Sequence, residues 1–124
     1  LRHRDRVHVL GWVENSDRAW LYEHASVFAY SSKYEGFGLP PLEAMRAGVP
    51  TVVTNGAAVR EVVGDAALAV PIGDVEAFAD GMSAILCDHS IAERLRSEGL
   101  RRVTRFRWDR TGDLMRTWYR QVVE

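Results

Sequence analysis

Residues 27–54 run Val27-Phe28-Ala29-Tyr30, then Ser31-Ser32-Lys33-Tyr34-Glu35-Gly36-Phe37-Gly38-Leu39, then Pro40-Pro41-Leu42-Glu43-Ala44-Met45-Arg46-Ala47-Gly48-Val49-Pro50, and close on Thr51-Val52-Val53-Thr54. The two outer runs are short, apolar and β-prone, as strands buried on both faces are. Ser31 to Leu39 holds two serines and two glycines and reads as a loop. Pro40 and Pro41 suit the first turn of a helix, where a missing N–H costs nothing. Gly48 suits the end of that helix, and Pro50 prevents its continuation.

Outward from this unit the pattern repeats. Asn55-Gly56 signals a turn. Val59 to Val63 reads as a short helix stopped by Gly64, and Ala67 to Val70 as a further strand. Upstream, Leu1 to Arg6 is a polar lead-in, and Val7, Val9 and Leu10 predict a strand ending at Gly11. Ser16 or Asp17 is expected to cap a helix running to about Ala25. Three helices should close the chain. Asp74 caps the first, with Phe78, Met82, Ile85 and Leu86 on one face. Ser90 caps the second, with Ile91 and Leu95 inward. Asp109 caps the third, with Leu114, Trp118 and Val122 at steps of four. Such stripes predict core faces. The order β-α-β-α-β-α-β followed by helices predicts an α/β fold, a Rossmann-like parallel sheet between two helical layers. Ligands collect at the carboxyl ends of such strands, here the loops after Leu10, Tyr30 and Thr54.

Composition narrows the function. The 124 residues are 47% hydrophobic and 27% charged with a net charge of −1, the profile of one folded domain. Near-neutral charge argues against a nucleic-acid binder. No apolar run approaches the length of a membrane span, and no secretory leader is expected from the opening residues. The single Cys87 fits a reducing, cytoplasmic compartment. Lys33 is the only lysine, and residues 89–124 hold nine arginines against five acids. That excess reads as a solvated helical surface or as a cationic face near an anionic ligand or membrane.

The loop after the second predicted strand is the segment that folding alone explains least. Gly36 and Gly38 let a ligand approach the backbone. The helix start that follows offers unpaired, partly positive amides, a cradle for phosphate or diphosphate. The P-loop and dinucleotide fingerprints are both absent. Glu35 in the loop and Glu43 in the expected first helical turn bracket the cradle, eight positions apart. Each acid has a plain reading, Glu43 as a helix-dipole partner and Glu35 as an exposed loop acid. Together with the glycines they suggest carboxylates gripping sugar hydroxyls on both sides of a diphosphate. Ser31 and Ser32 either contact phosphate or shape the turn. Asn55 either lines the cleft or serves its turn. His3, His8, His24 and His89 share no metal-ligand spacing.

Glu35-Gly36-Phe37-Gly38-Leu39-Pro40 through Glu43-Ala44-Met45, then Ala47-Gly48-Val49-Pro50, resembles the signature of the group 1 retaining glycosyltransferases of GT-B fold. Gly11-Trp12-Val13, Leu21-Tyr22 with Ala25, Glu61-Val62-Val63-Gly64 and Phe106-Arg107-Trp108 are similar to other family positions, so the resemblance covers nearly the whole chain. It implies that residues 1–124 are part of a C-terminal domain, truncated on its N-terminal side, that binds a nucleotide-diphosphate sugar without a metal or other cofactor. Glu35 would contact the donor-sugar hydroxyls as the catalytic-site acid. The amides of Gly36, Phe37, Gly38 and Leu39 would hold sugar and diphosphate. Glu43 would grip the ribose, and Trp12 and Val13 would meet the base. Glu61 is similar to a family position near the cleft, or is an exposed helical acid.

The resemblance further implies transfer with retention to a carbohydrate or lipid acceptor. The acceptor domain and the basic pair that also holds the diphosphate are not in this sequence, so the chain alone is expected not to turn over donor. It also implies strands that would separate Val7–Leu10 from Val27–Tyr30, which suggests a dimer through an open sheet edge or an altered pairing of the first strand. The competing readings are a non-catalytic nucleotide-sugar-binding module and an interaction domain that binds no small molecule.

Overall fold

The computed structural model describes residues 3–123; Leu1 and Arg2 of the polar lead-in lie outside them. A single 3-10 turn at Arg4–Arg6 precedes helix α1 (Asn15–His24) and strand β1 (Phe28–Tyr30). Helix α2 (Leu39–Arg46), strand β2 (Thr51–Thr54), helix α3 (Ala57–Val63) and strand β3 (Leu68–Val70) complete the alternating part. Helices α4 (Val75–Cys87), α5 (His89–Val103) and α6 (Trp108–Val123) follow. The strands form one parallel sheet in the order β1-β2-β3, with Tyr30 opposite Val53 and Val53 opposite Ala69.

The register sorts side chains onto two faces. Val53 packs with Leu42 and Met45 of α2 and with Val59, Val62 and Val63 of α3. Its neighbour Val52 packs with Val70, with Ile85 of α4 and with Leu95 of α5. The sheet is therefore sandwiched, and β2 is buried at all four residues. This is why its sequence runs apolar without alternation.

Six expectations need correction. Val7–Leu10 is no strand: it joins no ladder among the described residues, and Val9 is 92% exposed. A strand needs a ladder partner, and these four residues lie beside none among the described residues. The caps also differ. Helix α1 begins at Asn15 after Glu14, so Ser16 and Asp17 already lie in its first turn. Asp88, not Ser90, caps α5, accepting from the amides of Ser90 at 2.8 Å and Ile91 at 3.3 Å. Asp109 lies inside α6, paired with Arg107. On α4, Ile85 is buried but Leu86 points to solvent at the edge of the apolar stripe. On α6 the whole stripe is bare: Leu114, Trp118 and Val122 are exposed among the described residues. Asp74 does cap α4, accepting from the Ala77 amide at 2.9 Å.

Hydrogen bonds from the Ser90 hydroxyl and then from the two amides hold the Asp88 carboxyl below its ordinary value. A carboxylate favoured in the folded state stabilises above its unfolded pKa and loses that effect as pH falls through the lower native one. Asp88→Ala is therefore expected to melt earlier than wild type at neutral pH. The gap should close toward acid, as thermal midpoints measured across pH would show.

Of the nine arginines in residues 89–124, four form ion pairs with nearby acids among the described residues. Arg94 meets Glu98 at 2.9 Å, Arg96 meets Glu93 at 3.2 Å, and Arg116 meets Asp113. No helix among the described residues is long and apolar enough to cross a membrane.

Candidate functional site

The carboxyl ends of β1 and β2 open onto the loop 31–38 and the turn 55–56. Thr54, buried at the end of β2, donates its hydroxyl to the Ser32 carbonyl and ties the loop to the sheet. Gly38 then turns the chain into α2 with φ +99, a conformation that a Cβ would strain. Gly36 differs: its φ is not left-handed, and a Cβ there would meet nothing within 4 Å. The fold does not require a glycine at 36.

The amides of Gly36, Phe37, Gly38 and Leu39 donate to no carbonyl or side chain among the described residues. Pro40 and Pro41 occupy the next two positions and carry no N–H. The free donors at the start of α2 therefore lie at residues 36–39, at the positive end of the helix.

Both acids are held in place. The Tyr30 hydroxyl donates to Glu35 Oε1, and Ser32 Oγ donates to the same oxygen at 2.8 Å. These bonds, Tyr30 first, keep the Glu35 carboxyl below its ordinary value. Burial, then the bond to Glu35, pushes the Tyr30 phenol up to about 12. Glu43 accepts from the Tyr22 hydroxyl at 3.2 Å and lies 3.8 Å from the Arg18 guanidinium. Burial, then the Glu43 charge, pushes Tyr22 up to about 12 as well. Glu43 stands at the fifth residue of α2, past the first turn, so helix-dipole complementarity does not explain it.

Glu35 and Lys33 line a crevice of about 200 Å³ between the loop and the start of α3. Val13 lines a second hollow of about 280 Å³ with Leu10, Asp17, Trp20 and Leu21. Trp12 stands outside both, 81% exposed. Ser32 shapes the turn by holding Glu35. Asn55 donates its amide to the Val70 carbonyl at 2.9 Å, and its neighbour Gly56 lines the crevice. Glu61 is exposed. Among the described residues no three His, Cys, Asp or Glu side chains gather as a metal site.

Several contributors were not visible in the sequence. Arg18 and Tyr22 are four apart on α1, the spacing that puts two residues on one helix face, but nothing in the order of residues says which acid they meet. Phe37 packs edge-on against Phe106 with ring centroids 5.9 Å apart. Arg102 lies over Phe106 and donates to the Val62 carbonyl at 2.8 Å. The chain entering α6 is thereby fastened to the glycine loop.

The family model described as "Glycosyl transferases group 1" matches residues 1–102. The chain is 43% identical over 103 residues to the O-antigen chain mannosyltransferase B of Escherichia coli, covering 83% of this chain and 27% of that protein. It is 34% identical over 107 residues to the phosphatidyl-myo-inositol mannosyltransferase of Mycobacterium leprae, covering 84% and 29%. Among solved structures, sucrose-phosphate synthase from Thermosynechococcus elongatus matches with a TM-score of 0.86 and 31% identity, over 98% of this chain and 31% of that one. The chain spans less than a third of the length of each of these relatives.

Proposed function

The chain belongs to the group 1 glycosyl transferases, and from that premise we propose that it binds the nucleotide-diphosphate sugar donor of a retaining transferase. The observation that carries the reading is the run of four amides at residues 36–39 that bond to nothing within the described chain, flanked by two acids already fixed by tyrosines. Fixed amides at a helix start suit a diphosphate. Ionised carboxylates suit vicinal hydroxyls. Glu35 takes the sugar, the amides take the diphosphate, and Glu43 takes the ribose. The hollow beside Val13 takes the base.

Glycosyl transfer places oxocarbenium character on the sugar and negative charge on the departing diphosphate. Amides aimed at that diphosphate stabilise it most in the transition state, each worth on the order of 3 kcal/mol. No metal is needed for this. In the whole protein the sugar passes to a carbohydrate or lipid acceptor. The chain alone, without an acceptor domain, binds donor without turning it over. Two relatives named above are mannosyltransferases, so a nucleotide-diphosphate mannose is the first donor to test.

Titration calorimetry with nucleoside diphosphates and their sugars tests the reading. Saturable binding is expected, and its absence with every member of the panel overturns it. Gly36→Ala sharpens the test. Its thermal midpoint should match wild type, because the added methyl meets nothing. Its donor affinity should fall, because that methyl stands where the ligand lies against the backbone. Equal affinity in the two proteins would move the ligand off this loop.

A further inference from the structure

We propose that Tyr30 and Ser32 are positioning residues that bind Glu35 through Oε1 alone and so leave Oε2 as the single oxygen presented to the donor sugar. The inference rests on the donor reading above and adds to it. Both internal donors, the Tyr30 phenol and the Ser32 hydroxyl, converge on Oε1, the Ser32 hydroxyl lying nearer to it at 2.8 Å than to its other acceptor, the Tyr34 carbonyl at 3.1 Å, while Oε2 accepts no hydrogen bond among the described residues. Each donor is itself anchored. The Tyr30 ring packs against the α2–α3 core cluster and stacks 6.1 Å from Phe28. The Ser32 carbonyl is held by buried Thr54. A loop acid is thus held by two bonds, one from the end of β1 and one from within the loop, which removes the rotational freedom a glutamate otherwise loses on binding.

The surroundings make the remaining oxygen selective. The α3 side of the crevice, residues 56–59, carries no charge, and Lys33 is the only other charged side chain that lines it. An ionised carboxylate with one open oxygen accepts a hydroxyl and cannot donate. The geometry therefore favours a neutral sugar offering a hydroxyl at this point, and it penalises the corresponding deoxy sugar.

Two measurements on the 124-residue chain test this. Carbon-detected NMR titration of the Glu35 carboxyl should show its midpoint rising toward the ordinary glutamate range in Tyr30→Phe and in Ser32→Ala. Ser32→Thr, which keeps the hydroxyl, should restore it. Calorimetry should show nucleotide-diphosphate mannose binding about 3- to 10-fold weaker in Tyr30→Phe, the loss of one hydrogen bond, with the bare nucleoside diphosphate unchanged. Tyr30→Phe keeps the ring that packs in the core, so the fold is retained. A Glu35 midpoint that does not move overturns the positioning role. Equal losses for nucleotide sugar and bare nucleoside diphosphate overturn the assignment of Oε2 to the sugar. A shifted midpoint in a chain that binds no nucleotide sugar overturns the donor reading and the Oε2 assignment with it, while the Tyr30–Glu35 contact stands.

Discussion

Glu43→Ala is expected to weaken nucleoside diphosphate binding by roughly 10- to 150-fold, the loss of charge-assisted hydrogen bonds worth about 1.5–3 kcal/mol. The side chain reaches back to α1, where Tyr22 donates at 3.2 Å and Arg18 stands 3.8 Å away. That contact fixes the carboxylate without burying it, since the side chain remains 39% exposed. The group is therefore placed to accept from a ligand and is not needed by the core. Its removal should shift the thermal midpoint by only about 2 °C, as for a surface change of about 0.5 kcal/mol. Glu35→Ala should behave differently. Nucleoside diphosphate affinity should hold while nucleotide-sugar affinity falls, and turnover in the whole protein should fall further. Calorimetry with both ligands separates the two acids. If both variants bind as wild type does, the paired acids have no part in donor recognition.

The parts of the fold written in local chemistry were legible beforehand. Thr51–Thr54 is a strand at the expected residues, because a short β-branched run bounded by Pro50 and Asn55 has few other uses. The prolines at the start of α2 and Gly48 past its end bound that helix by backbone rules alone. The loop between β1 and α2 stands out as a candidate site because its glycines and acids serve no packing pattern. What failed depended on partners. Val7–Leu10 has strand composition, yet a strand is a relation between two segments, and no described residue pairs with it in a ladder. Leu114, Trp118 and Val122 have the period of a buried face, yet periodicity says that a face is apolar and not what covers it. Asp88 and Ser90 are both good caps two residues apart, and the hydrogen-bond geometry chose Asp88. Tyr30 has the character of a strand residue and ends β1. That its hydroxyl reaches Glu35 depends on the path of a loop whose course no local rule dictates.

Two apolar stripes of the same period allow a direct comparison of burial. Leu95→Ala on α5 is expected to cost about 2–5 kcal/mol, and Trp118→Ala on α6 no more than about 0.5 kcal/mol. Leu95 is 1% exposed and packs with Val52, Val70 and Ile85 beneath the sheet. Alanine there leaves a cavity whose walls are a strand and two helices, and such walls relax only partly. Trp118 is 67% exposed, so the same operation removes a larger side chain that has left little water behind. Against a total stability of about 5–15 kcal/mol, the first change removes a large share. At about 4 °C per kcal/mol the midpoint should fall by roughly 8–20 °C, whereas the second should leave it within about 2 °C. The larger residue has the smaller effect because stability follows area removed from water, not side-chain size. Chemical denaturation of both variants measures the contrast. A Trp118→Ala loss equal to that of Leu95→Ala would mean that α6 is packed in the folded chain, and the exposed face would have to be withdrawn.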